Sequence, residues 1–174
     1  QIIGAMHSTR LMSAEACSIQ IARRIGAECF NLHAPAVLSS PQLAKALKHE
    51  PAIKAQLERL KTMDIVLFSA GDCSQTTHMV AAGIASPADM KEAQALGASG
   101  IVCSRFIDAN GRQLEIKLNE RLIAIDVDTM LHTNKRIMVV AGMAKLEAVK
   151  AALKGNLVTH LVLDETLARA LMKS

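Results

Sequence analysis

Ile137-Met-Val-Val-Ala-Gly-Met-Ala-Lys-Leu-Glu-Ala-Val-Lys-Ala-Ala-Leu153 decides the fold. The apolar run Ile137–Ala141 reads as a strand buried in a parallel sheet, it ends at Gly142, and a helix opens beside Lys145. Fresh backbone N–H groups and a lysine at the carboxyl end of such a strand are where open α/β sheets hold small anionic ligands. Gly142 and Lys145 are therefore the first candidate site residues.

The same reading extends outward in both directions. Ile2–Ala5, Cys29–His33, Ile65–Ser69, Ile101–Phe106, Leu122–Ile125 and His160–Leu163 are short β-rich runs, most of them continuously apolar. Helical patterns separate them. Met12–Ile25 carries Ala16, Ile19 and Ala22 at helical spacing, with Ser13 placed to cap it. Ser86-Pro87-Ala88-Asp89 is a helix start with Gly97 as its stop, Ser40-Pro41 repeats the device, and Asp164-Glu165 opens a last helix running to about Met172. Alternating strands and helices predict an α/β fold with a doubly wound, mostly parallel sheet. Asp108-Ala-Asn-Gly111, between Ile101–Phe106 and Gln113–Leu118, predicts a β-hairpin inserted into that core.

Composition narrows the class. At 174 residues and 51% hydrophobic, the chain suits one domain spanning 1–174, with a core large enough to need no disulfide or metal staple. Its longest apolar runs fall far short of the roughly 20 residues of a membrane span. Cys17, Cys29, Cys73 and Cys103 lie far apart, without ligand spacing to any histidine, which fits reduced thiols in the cytoplasm and argues against a zinc site. The net charge of +4 is spread over interleaved acids and bases, so nucleic-acid binding is not indicated for these residues. With no Trp or Tyr and three Phe, a stacking platform for bases or sugar rings is nearly excluded. The chain enters directly at Gln1 into an apolar run, without a methionine or a signal segment, and reads as a fragment of a longer protein.

In a doubly wound sheet the carboxyl ends of the strands share one edge. That edge would gather Gly4 and His7, His33 and Pro35, Ser69–Ser74 with Gly71 and Asp72, and Gly142 with Lys145. Gly71-Asp72-Cys73-Ser74, followed by His78, places a thiol, a hydroxyl and an acid together, but no nucleophile motif such as G-x-S-x-G or H-E-x-x-H is present. Cys73 reads as an inert buried thiol. Asp126 with Asp128, and Asp164 with Glu165, are acid pairs at helix starts, where capping accounts for them. The glycines form no dinucleotide or Walker-type phosphate loop.

Taken in order, Gln1-Ile-Ile-Gly4, Leu32-His-Ala-Pro35, Asp64–Gly71, Gly97-Ala-Ser-Gly100, Arg105-Phe-Ile-Asp108 with Gly111, Ala141-Gly142 with Lys145, and Leu163-Asp-Glu165 with Ala168 resemble the effector-binding (sugar-binding) domain of SorC/DeoR-type bacterial transcriptional regulators. The resemblance runs over essentially the whole chain. It implies a Rossmann-like fold related to glucosamine-6-phosphate deaminase, ribose-5-phosphate isomerase and CoA transferases, and a sensor of a phosphorylated sugar that has no catalytic residues, cofactor or metal. It further implies a homo-oligomer, dimer or tetramer, whose separate N-terminal helix-turn-helix reads operator DNA and lies outside this chain, together with the first part of the sensor domain. Lys145 would contact the effector, Ser13 would face its phosphate, and the loops Leu32–Pro35 and Ser69–Asp72 would wall the pocket. The rival readings are a sugar-phosphate isomerase or deaminase-like enzyme on the same fold, and an oligomerisation module with a vestigial pocket.

Overall fold

The computed structural model describes residues 14–74 and 77–173; the expected strand at 2–5 and the candidates Gly4, His7 and Ser13 lie outside them. The described chain begins with α1 (Ala14–Ile25), α2 (Pro41–His49) and α3 (Pro51–Leu60), then β1 (Ile65–Phe68), β2 (Ala70–Gly71), α4 (His78–Ala81) and α5 (Pro87–Ala95). It continues through β3 (Gly100–Val102), β4 (Arg105–Ile107), α6 (Val127–Leu131), β5 (Lys135–Val140), α7 (Leu146–Lys154), β6 (His160–Leu163) and α8 (Glu165–Met172).

The helices begin where local chemistry says they should. The Ser40 hydroxyl accepts the Leu43 N–H, and Pro41 occupies the first position of α2, where its missing N–H costs nothing. Ser86 and Asp89 form a reciprocal capping box at the start of α5. Beyond the end of α5 the Ala98 N–H donates back to the Ala93 carbonyl across Gly97, which closes that helix.

β1, β5 and β6 form a parallel sheet in the order β1-β5-β6, with Phe68 opposite Met138 and Val140 opposite Leu163. The buried face carries Val66, Phe68, Met138 and Val140 against Ala148, Val149 and Ala152 of α7 and Leu167 of α8. Each large side chain so buried contributes roughly 1.5–3 kcal/mol. The small residues of α7 let that helix approach closely. A second core, around Met90, Ile101, Phe106, Leu118 and Leu122, joins α5 to the antiparallel strands.

Three strand expectations need correction. Ile101–Phe106 is not one strand: Cys103 and Ser104, at φ 49° and 66°, fold it into the hairpin β3–β4, so that Ile101 lies opposite Phe106. With β2 these strands make a separate antiparallel sheet in the order β2-β3-β4. Half of the described strands are therefore antiparallel, more than "mostly parallel" allows. Cys29–His33 and Leu122–Ile125 are not strands either. Leu122 makes a single bridge, to Val37, beyond the end of the first of these runs. Pro35 has no N–H to offer a ladder, and the buried Arg105 guanidinium takes the carbonyls of Ala124 and Ile125 that a neighbouring strand would have used.

The Asn110-Gly111 turn does reverse the chain. The Asp108 carboxylate accepts the N–H groups of Asn110 and Arg112, and Ile107 pairs antiparallel with Gln113, although the ladder stops at that one bridge. The parallel sheet also departs from burial on both faces. Ile65, Leu67, Val139 and Val162 project from the face opposite the core and remain 49%, 41%, 46% and 53% exposed among the described residues.

Candidate functional site

Because β1, β5 and β6 run in parallel and in register, their carboxyl ends emerge at one edge. From β1 the chain passes through Ser69 and β2 to Asp72; from β5 it passes through Gly142 and a 3₁₀ turn, Met143–Lys145, into α7; from β6 it reaches Asp164. Gly142 adopts φ 98° and ψ 133°, a conformation open to glycine and strained for any other residue. That kink turns the chain from strand to helix within three residues. The Lys145 N–H donates to the Gly142 carbonyl at 3.1 Å, so the lysine is carried directly on the turn. Its side chain is half-buried.

Asp72 and Lys145, distant in sequence, lie within electrostatic reach of each other here without forming an ion pair. The Asp72 carboxyl lies below the usual carboxylate range chiefly because the Ser74 hydroxyl donates to it; the Ser74 N–H, at 2.8 Å, and the Lys145 charge act in the same direction against burial. Gly142 does not offer the free N–H that its sequence context suggests. That N–H donates to Oδ2 of Asp164 at 2.7 Å, while Oδ1 of the same carboxylate accepts the Leu167 N–H at 2.9 Å and caps α8. These N–H groups hold the Asp164 carboxyl below its ordinary pKa, the Leu167 bond having the largest effect. The capping half of this arrangement was legible in the sequence. The bond to Gly142 was not, and it adds Asp164 to the candidates at this edge.

The remaining candidates sort as follows. Gly71 lies in β2 beside Asp72, and a methyl added there would rest 3.5 Å from the Ile101 side chain, an ordinary contact. His33 is exposed on the extended segment after α1, and no hydrogen bond or ion pair among the described residues ties it to Gly142, Lys145, Asp72 or Asp164. Gly4 and Ser13 fall outside the described residues. The Cys73 thiol is pushed up to about 11 by burial and by the Asp72 charge, which keeps it protonated and unsuited to nucleophilic attack near neutral pH. Asp126 caps α6 by accepting the Thr129 N–H at 2.7 Å, so its pairing with Asp128 is a matter of helix structure.

No group of three His, Cys, Asp or Glu side chains that could hold a metal ion occurs among the described residues. No helix among them is long and apolar enough to cross a membrane. A cavity of about 590 Å³ opens elsewhere, between the Asn110–Gln113 turn, α6 and the end of α7, and is lined by none of the predicted site residues. The strand ends that carry Asp72, Gly142, Lys145 and Asp164 are the better guide, since open α/β sheets bind ligands at the carboxyl ends of their parallel strands.

Comparison with known proteins gives a consistent picture. The family model described as "Putative sugar-binding domain" matches residues 1–173. The chain is 29% identical over 172 residues to the uncharacterized transcriptional regulator YjhU of Escherichia coli K12, covering 99% of this chain and 52% of that protein. It is 27% identical over 180 residues to the deoxyribonucleoside regulator of Bacillus subtilis 168, covering 99% of this chain and 55% of that one. Among solved structures, the full-length sorbitol operon regulator SorC of Klebsiella pneumoniae superimposes with a TM-score of 0.87 at 21% identity, over 97% of this chain and 53% of that one, which bears on the fold alone. The chain spans about half the length of these proteins.

Proposed function

The chain belongs to the sugar-binding domain family, and from that premise we propose that it is the effector-sensing domain of a bacterial transcriptional regulator, binding a phosphorylated sugar at the carboxyl edge of its parallel sheet. The observation that carries this reading is the placement of Lys145 on the turn at Gly142, at the carboxyl end of β5. A cation at that strand end, with the Asp72 carboxylate within its electrostatic reach, suits a ligand with an anionic group at one end and hydroxyls at the other. In this reading the fold is that of the glucosamine-6-phosphate deaminase, ribose-5-phosphate isomerase and CoA transferase group, used for sensing. Operator DNA is read by a helix-turn-helix elsewhere in the full protein. Effector binding shifts a homo-oligomer in the cytoplasm between arrangements, by no more than its differential affinity for them.

A thermal-shift screen of phosphorylated sugars and their unphosphorylated counterparts tests the proposal. A binder at a hundredfold excess over its dissociation constant stabilises the folded state by about 2.7 kcal/mol. The expected result is a shift confined to phosphorylated ligands and lost in Lys145→Ala. Turnover of such a ligand by the full-length protein would instead support an enzyme. One observation favours a second reading, an oligomerisation module with a vestigial pocket: the apolar face of Ile65, Leu67, Val139 and Val162. No shift with any sugar phosphate, in a protein that self-associates through that face, would put this reading first.

A further inference from the structure

Asp164 does more than a helix cap requires. Capping α8 uses one carboxylate oxygen, on the Leu167 N–H; the other oxygen reaches back 22 residues to the Gly142 N–H. An ionised carboxylate is acceptor-only and has two oxygens, so it can serve two such donors at once. The two donors belong to different elements. One rigid group thus fixes the turn after β5 to the first turn of α8.

That turn presents Lys145. The Lys145 N–H hangs from the Gly142 carbonyl at 3.1 Å, and Gly142 holds a glycine-only conformation with nothing within 4 Å of where a Cβ would stand. A glycine has no side chain to fix it, so its peptide orientation leans on hydrogen bonds. The Gly142 N–H is saturated by Asp164 and is not a donor for a ligand anion. At this turn the Lys145 side chain is the cationic group that can meet the anionic group of a ligand.

The geometry points to Asp164 as a positioning residue of the effector pocket, one that sets where Lys145 is presented by locking Gly142 to α8. This deepens the proposed function and rests on the reading of Lys145 as the effector-contacting lysine.

Asp164→Asn separates the two roles. Asparagine is as good a cap as aspartate, so its oxygen keeps the Leu167 bond, while an NH₂ group replaces the oxygen that faced the Gly142 N–H. Two measurements need no ligand. Amide exchange should quicken over 142–146 and stay unchanged over 165–172. After reductive ¹³C-methylation, the Lys145 amine resonance should move while that of Lys150, further along the same helix, stays in place. Titration with inorganic phosphate and with glucose 6-phosphate should show binding weakened about threefold to tenfold. Unchanged exchange with an unmoved Lys145 resonance overturns the inference, and so does unchanged or tighter binding. If neither probe binds the wild-type chain while the exchange and resonance changes occur, the sensor reading fails for those ligands and the positioning role stands.

Discussion

The backbones of Gly111 and Gly155 lie in contact. A side-chain carbon on Gly155 would come 2.7 Å from the Gly111 Cα, and one on Gly111 would come 2.6 Å from the Gly155 Cα and 2.5 Å from the Ala151 carbonyl oxygen. The inserted hairpin turn therefore rests directly on the end of α7, the helix that begins at the candidate site.

Gly111→Ala and Gly155→Ala should each destabilise the fold by about 2–4 kcal/mol, because the obstructing atoms are backbone and cannot swing aside. Gly111→Ala should be the worse, since Gly111 also sits at φ 75°. Urea denaturation of the two variants measures both effects. Wild-type stability in either would disprove the contact.

Gly100 makes a similar approach to α7, where an added methyl would lie 2.5 Å from the Ala148 Cβ. Gly100→Ala is expected to be strongly destabilising, and Ala148→Gly to recover part of the loss, less the roughly 1 kcal/mol that glycine costs inside a helix. A double-mutant cycle reads the coupling. Additive effects would place the strain elsewhere.

Asp89 gives the stability a pH dependence. Burial alone would raise its pKa, but the Ser86 hydroxyl and N–H and the Arg121 guanidinium, at 3.0 Å, outweigh burial and hold the carboxyl below its usual range. A carboxylate with a depressed folded-state pKa contributes stability above its unfolded pKa of about 3.9, and that contribution is lost as the pH falls through the folded value. Asp89→Asn should therefore cost about 1–3 kcal/mol at pH 7, and the gap from wild type should close as the solution is acidified below about pH 4. A gap independent of pH would mean that the charge is not involved.

The thiols should differ in reactivity. Burial pushes Cys73 and Cys103 up to about 11, whereas Cys29 is exposed. Iodoacetamide at pH 8 is expected to label Cys29 first and to leave Cys73 and Cys103 largely unmodified until the protein is unfolded, as followed by peptide mass spectrometry. Rapid labelling of Cys73 in the folded protein would reopen the nucleophile question.

What the sequence determined by itself lies within a few residues of its own signal. Ser40-Pro41, Ser86-Pro87 with Asp89, and Asp164 before Glu165 start their helices because a cap and its N–H partner are three residues apart. The run Ile137–Ala141, found within a residue or two as β5 and turning at Gly142 into α7, is equally local, and it places Lys145 at the strand's carboxyl end. Tertiary structure decided the rest. Cys103 and Ser104 adopt positive φ without glycine or asparagine to announce it, and the Arg105 guanidinium takes carbonyls from a segment some twenty residues away. Asp72 comes within electrostatic reach of Lys145, and Asp164 meets Gly142, only because parallel strands carry their loops to one edge. Short-range hydrogen bonds and steric limits act along the chain and can be read from it in order. Pairings across the sheet depend on register and on competition for backbone acceptors, and both are set only when the core packs.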